Sequence, residues 1–280
     1  MSGAPAAPPA RAAAPLPSIA ATGWSRGLLE TKTFFRERDA VVFTFAFPIV
    51  LQVVFGSIFR GAVPGTEISF AQLYTAGLIG AAVMGASFQN LGIGIAVDRD
   101  DGTLRRLAGT PLPHGAYFTG KVLNVLLVAL LDVVILLALG VLMYDLKLPD
   151  ELFRWATFAW VFVLGITGSA LLGIAASGLP RSAKSASAVI SLPFVVLQFI
   201  SGVFVPFTQL PEWLITIASV FPLKWMCQGF RSVFLGDAGA ALELTGSYEL
   251  DRAALVLGAW VAGGLILCLT TFRWKGRRDG

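Results

Sequence analysis

Long, uninterrupted apolar runs set the pattern of this chain. A helix that crosses a hydrocarbon core about 30 Å thick needs about 20 mostly apolar residues at a rise of about 1.5 Å each. Six segments reach that length: residues 40–59, 68–97, 122–144, 155–180, 185–211 and 253–272. Asp132 is the only Asp, Glu, Lys or Arg within them. The pattern predicts an all-α integral membrane protein with six transmembrane helices. A seventh apolar stretch, 213–223, is too short to cross and lies between Pro211 and Pro222. It suits an outer re-entrant helix pair, within 206–231, better than a seventh crossing.

Composition closes off other classes. Of 280 residues, 56% are hydrophobic and 14% charged, with a mean hydropathy of +0.75. Soluble domains carry about 25% charged residues, and disordered chains lack the bulky apolar residues found here. Six spans put both termini on one side. That side (1–39, 98–121, 181–184 and 273–280) holds 15 basic and 7 acidic residues, the other 6 and 9. Basic flanks are retained in the cytoplasm, so the expected orientation is N-in, C-in. The net charge of +4 is then an orientation asymmetry and not a nucleic-acid patch. Cys227 and Cys268 form no CxxC, and His114 is the only histidine, so no metal site or catalytic residue is readable.

The ends of the chain have their own character. Residues 1–21 are Ala/Pro-rich and read as a disordered cytoplasmic tail. Within 22–39, Trp24, Leu28, Thr31 and Phe35 recur at helical spacing, with Arg26, Glu30, Lys32, Arg36 and Glu37 mostly around the other faces. That predicts an amphipathic helix on the inner membrane surface. The six-span domain follows over 40–272, and 273–280 is a basic cytoplasmic tail.

The longest inner loop, 98–118, opens with Asp98, Arg99, Asp100, Asp101, Gly102, Thr103, Leu104, Arg105, Arg106 and Leu107. Asp101, Gly102 or Thr103 can cap a short helix, Leu104 and Leu107 share a face, and Gly109 with Pro111 can stop it. The loop reads either as a docking knob for a cytoplasmic partner or as a solvated turn held inside by its arginines. Just beyond it, Gly115 to Lys121 matches GxxxxGK of a phosphate-binding loop. Val122 stands where Ser or Thr would hold magnesium, and no strand precedes the segment. Lys121 is better explained as an interfacial anchor.

A charge at the depth of Asp132 costs about 3 kcal/mol or more unless it is neutralised, paired or hydrated. The residue is either a polar group in a substrate path or proton-linked switch, or a packing residue facing Gln52, Gln89, Asn90 or Gln198. The packing reading is preferred. Gly165, Ser169, Gly173 and Ser177, and Gly77, Ala81 and Gly85, form small-residue stripes that suit helix packing more than substrate binding. Phe43, Phe47 and Phe55 in the first span, with Phe194 and Phe199 in the fifth, could line a greasy path.

The acidic cluster running into Gly102-Thr103-Leu104, then Leu107 and Thr110-Pro111, resembles the inner coupling segment of type-2 ABC exporter permeases, particularly the daunorubicin-resistance-type drug efflux subunits. A second block is similar to that family's outer re-entrant motif: Ser201, Gly202, Pro206, Leu210, Pro211, Trp213, Pro222 and Arg231. The chain departs in using Asp98, Asp100 and Asp101 where the family often has Glu. The resemblance implies a half-transporter in a bacterial inner membrane. Two permease copies, or one copy of each of two related permeases, would bind two cytoplasmic ATPase subunits. ATP and Mg would sit on that partner, with no cofactor bound by this chain. Leu104 and Leu107 would pack into the ATPase, with Arg105 and Arg106 adding charged contacts. The substrate path would include Phe47, Gln52, Phe55, Asp132, Phe194 and Gln198, carrying a drug-like natural product or, as the alternative, a lipid or lipid-linked glycan. An intramembrane enzyme would need a second convergent catalytic group beside Asp132, and a carrier would be expected to show internal repeats.

Overall fold

The structure, a computed structural model, describes residues 18–110 and 113–272. The expected tails at 1–17 and 273–280, and Pro111, lie outside them. Helices follow in the order α1 (Ile19–Arg36), α2 (Arg38–Ile58), α3 (Phe70–Met84), a π-helical turn (Gly85–Asn90), α4 (Leu91–Asp100), α5 (Thr103–Ala108) and α6 (His114–Tyr144). The chain continues through α7 (Leu152–Ala176), α8 (Ala183–Ile200), α9 (Glu212–Val220), α10 (Pro222–Phe234) and α11 (Leu250–Thr271). Six of the described segments are long and apolar enough to cross a membrane: α2, the continuous Phe70–Asp100, α6, α7, α8 and α11. The fold is all-α, with one isolated bridge between Ala62 and Ser69 among the described residues.

Local chemistry sets several helix starts. Ser18 Oγ accepts from the Ala21 N–H, so α1 begins inside the stretch expected to be tail. Capping boxes open α3, through Ser69 and Gln72, and α8, through Ser182 and Ser185. Pro222 stands at the start of α10, where its missing N–H costs no helical bond.

The fifth span is shorter than its apolar run: α8 stops at Ile200, not at 211. The cause is Gly202, whose φ of +79° reverses the chain and whose carbonyl accepts from the Arg231 guanidinium. A Cβ at this position would collide with both Arg231 and Phe207, so only glycine fits the turn. The short apolar stretch likewise ends early, at Val220, and a second helix follows at once. All thirteen residues of α10 are buried, Lys224 and Arg231 included. It packs against α3, α7 and α11.

Small residues bring the helices together. A Cβ on Gly173 would lie 2.7 Å from the Phe88 carbonyl oxygen, so this stripe of α7 seats the π-helical turn within the chain. Gly23 does the same for α1, which lies along α6 with Thr119 against it. Trp24, Leu28 and Phe35 stay exposed on the outward side of α1.

Candidate functional site

Helices α2, α3, α6 and α8, with the π-helical turn, line a cavity of about 560 Å³ that opens beside Phe43. Phe47, Leu51, Leu78 and Phe194 form apolar wall, and Gln89, Asn90, Asp132 and Gln198 supply polar groups. The π-helical turn carries two adjacent amides into it. Gln89 Nε2 donates to Ser191 Oγ at 2.7 Å on α8, and Asn90 Nδ2 to Thr44 Oγ1 at 3.2 Å on α2. Such turns interrupt the regular i→i−4 ladder and recur at functional sites.

Asp132 is 2% exposed, and its Oδ1 has no hydrogen-bond partner among the described residues. Of its four expected neighbours, Gln89, Asn90 and Gln198 line the cavity with it. Gln52 does not: its Nε2 donates to Thr75 Oγ1 at 3.0 Å and to the Leu136 carbonyl at 3.1 Å. Phe55 is also outside the cavity, its ring 4.8 Å from Tyr74 and 5.6 Å from Phe204, centroid to centroid. Of the six residues expected in a path, Phe47, Asp132, Phe194 and Gln198 are brought together; Gln52 and Phe55 hold helices instead.

A second cavity, of about 330 Å³, adjoins the first, sharing Phe43, Thr44 and Asn90 with it. It extends to Glu30, Glu37, Asp98 and Lys121 at one end of the bundle. There Lys121 Nζ lies 2.8 Å from both Glu30 Oε2 and Asp98 Oδ2, and is no free interfacial anchor. Tyr117 donates its phenolic O–H to Asp98 at 2.8 Å, and Arg26 pairs with Glu30 at 2.6 Å. One ammonium thus joins α1 to α4 through α6.

The rest of the acidic loop also finds partners within this chain. Arg99 donates to the Ser177 carbonyl and hydroxyl at the end of α7. Asp100 accepts from the Ala183 N–H at the start of α8 at 2.9 Å. Asp101 Oδ1 accepts from the Thr103 N–H at 2.8 Å, opening α5 beside the left-handed Gly102. Leu104, expected to reach a partner, is 1% exposed and belongs to this chain's own core. Leu107 is half-buried, and Arg105 and Arg106 are exposed. Gly115 to Val122 is helical, so it forms no phosphate-cradling loop.

At the opposite end, Arg231 Nη1 lies 2.9 Å from Glu243 Oε1, both side chains 1% exposed. The guanidinium also sits 4.9 Å from the Phe207 centroid and donates to Gly202. Ser201 is buried beside that turn, Pro206 precedes the 3₁₀ turn Phe207–Gln209, Pro211 precedes α9, and Trp213 is exposed. The second motif is therefore a structural knot. Sequence reasoning missed Glu243, although it is a lone acid in an apolar stretch just after a helix bearing a buried-type arginine. It also missed Tyr117 and the Glu30 tie, which no local spacing announces.

Known proteins bear on this geometry. Residues 27–235 match the ABC-2 type transporter family, leaving α11 beyond the match. The transport permease YvfS of Bacillus subtilis (strain 168) is 23% identical over 70% of this chain and 79% of its own length. A probable multidrug ABC transporter permease of Escherichia coli (strain K12), YbhR, is 26% identical over 52% of this chain, which spans 39% of that relative. The transport permease ycf38 of Porphyra purpurea is 26% identical over 67% of this chain and 65% of its own length. A multi-pass helical membrane protein, the chain belongs to the ABC-2 type transporter family as a permease subunit.

Proposed function

We propose that this chain is the membrane half of an ATP-driven exporter that moves a hydrophobic or amphipathic, drug-like molecule out of the cytoplasm or inner leaflet. The 560 Å³ cavity carries the reading. Small-molecule sites run at about 300–1,000 Å³, mostly apolar with a few placed polar groups, and this one has both properties. The multidrug name of the E. coli relative points the same way.

In this reading the chain lies N-in, C-in in a bacterial cytoplasmic membrane, paired with a second permease. The α1, α4 and α5 end faces the cytoplasm, and residues 206–231 form an outer re-entrant pair. Two ATPase subunits hold ATP and Mg on separate chains, and this chain hydrolyses nothing itself. Their docking surface is the loop over 98–118, through the exposed Arg105 and Arg106 and the half-buried Leu107, with Asp101 exposed beside them. Asp98, Arg99 and Asp100 pass a push on α5 to α1, α6, α7 and α8. The partner's two nucleotide states must contact α5 differently for this to bias the permease. A lipid or lipid-linked glycan is the second reading. It is favoured by Phe43, which lines the cavity yet is 78% exposed, as a lateral opening toward acyl chains requires.

The test is purification of the tagged chain from native membranes in mild detergent, with co-purifying proteins identified and ATP hydrolysis measured. A stoichiometric P-loop ATPase with vanadate-sensitive turnover, stimulated by amphipathic drugs, is the expected result. Recovery of the chain alone, under conditions that preserve other membrane complexes, would overturn the reading. Stimulation by lipid-linked glycans and not by drugs would move the assignment to the second substrate class.

A further inference from the structure

We infer that the 560 Å³ cavity selects amphipathic monovalent cations, with the Asp132 carboxylate as the counter-charge they meet. The inference rests on the proposed transport reading and names the charge class of what the cavity takes.

Three observations converge. Asp132 lines the cavity, is 2% exposed, and leaves Oδ1 without a hydrogen-bond partner among the described residues. No Lys, Arg or His is among the described residues that line the cavity, so the protein supplies no cation of its own there. Gln89 and Asn90 already direct an amide N–H at Ser191 and Thr44. Asp132 is the one ionisable group among the described lining residues, and an apolar body with a single positive centre would answer it.

The rest of the lining agrees. Phe43, Phe47 and Phe194 bring aromatic rings to the cavity, and ring faces attract a desolvated cation. The adjoining chamber carries Glu30, Glu37 and Asp98; Lys121 and Arg26 answer the first and Lys121 the third, which leaves Glu37 to tilt the approach from that end negative. Beside a neutral ligand or an anion the buried carboxyl would take up a proton, whereas a cation lets it stay ionised and pairs with it. Selectivity then comes from charge, and affinity for the body from apolar contact.

The test compares tetraphenylphosphonium with tetraphenylborate, which share a shape and differ in sign. Binding of each to the full chain in nanodiscs of zwitterionic phosphatidylcholine is measured, with empty discs subtracted. The wild-type protein is expected to bind the cation at least tenfold tighter than the anion. Asp132→Asn, which keeps shape and removes charge, is expected to erase that preference by weakening the cation alone. Equal affinity of the wild-type protein for the two ions overturns the inference, whether or not the variant folds. A preference that survives in a folded Asp132→Asn protein also overturns it. Failure here leaves the exporter reading standing if the ATPase still co-purifies. Conversely, a cation preference in a chain that never binds an ATPase sinks the exporter reading and keeps this one.

Discussion

At the end of the bundle that carries α1 and α5, charges meet between helices and remain within reach of water; Lys121, Glu30 and Asp98 are 12%, 12% and 19% exposed. At the end that carries α10, Arg231 and Glu243 are enclosed at 1% each, with Gly202 and Phe207 filling the remaining sides of the guanidinium. The attraction between two charges grows as water is excluded, and so does the penalty for separating them. Partly wetted partners can part and re-form at modest cost. Enclosed ones cannot. One end is therefore suited to helices that shift against each other, and the other to holding a fixed cap.

Substitutions can break that contrast. The largest loss is expected for Arg231→Ala, which strands a buried carboxylate and removes the donor to Gly202, at about 3–5 kcal/mol. Thermal unfolding in detergent should record it, and the double change Arg231→Met with Glu243→Leu should recover most of it. Lys121→Ala should cost less, about 1–3 kcal/mol, because water can reach the two carboxylates left behind. Its signature is local: α1 comes away, and trypsin cuts sooner at Arg36 and Arg38. Should Lys121→Ala match Arg231→Ala in cost, the two ends do not differ in kind.

A smaller effect sharpens the picture through pH. Burial holds the Lys224 ammonium below the usual lysine range, against the pull of Glu249 and Glu243. The cost of that charge is fully present below the depressed value and fades as pH rises toward 10.5, where the unfolded chain also sheds its proton. Lys224→Met should thus raise the melting temperature at pH 7, with the gain shrinking toward pH 10.5. The smallest stability change belongs to Arg105→Glu with Arg106→Glu, about 1 kcal/mol, because Arg106 gives up exposed hydrogen bonds to the Asp101 carbonyl and the Thr103 hydroxyl. In the proposed exporter, that pair should nonetheless abolish ATPase binding and transport; unchanged transport removes α5 from the coupling.

The six crossings were legible because lipid demands one unbroken apolar run per helix, and the runs are plain in the sequence. The helix α10 was not. Its polar residues look solvated in the sequence, yet Arg231, Lys224 and Gln228 find partners on other elements: Glu243, Phe207 and the Ser247 carbonyl. The acidic loop was legible as a capped helix, but not the destination of its acids. Asp98 and Asp100, read in the sequence as part of a coupling segment, are tied within the chain to Tyr117, Lys121 and the start of α8. The cavity was half legible: Phe47, Asp132, Phe194 and Gln198 converge as expected. The π-helical turn that delivers Gln89 and Asn90 has no sequence signature, since it depends on Gly173 and Phe88 meeting in three dimensions.

The two ends also belong to different moments in the making of the chain. The ties around Arg231 reach back 29 residues to Gly202 and forward 12 to Glu243. Three ties of the opposite end join partners 91, 78 and 83 positions apart, Glu30 with Lys121, Arg99 with Ser177 and Asp100 with Ala183, although Asp98 meets Tyr117 only 19 positions on. Short loops close early and long ones late. As the polypeptide emerges, Glu30 must wait for the third crossing helix and Asp100 for the fifth, whereas the guanidinium of Arg231 meets its carboxylate within a dozen residues of synthesis. A nascent chain interrupted before residue 243 would hold an unanswered cation beside its newest helix, a mark by which quality control in the membrane could tell an unfinished molecule from a finished one.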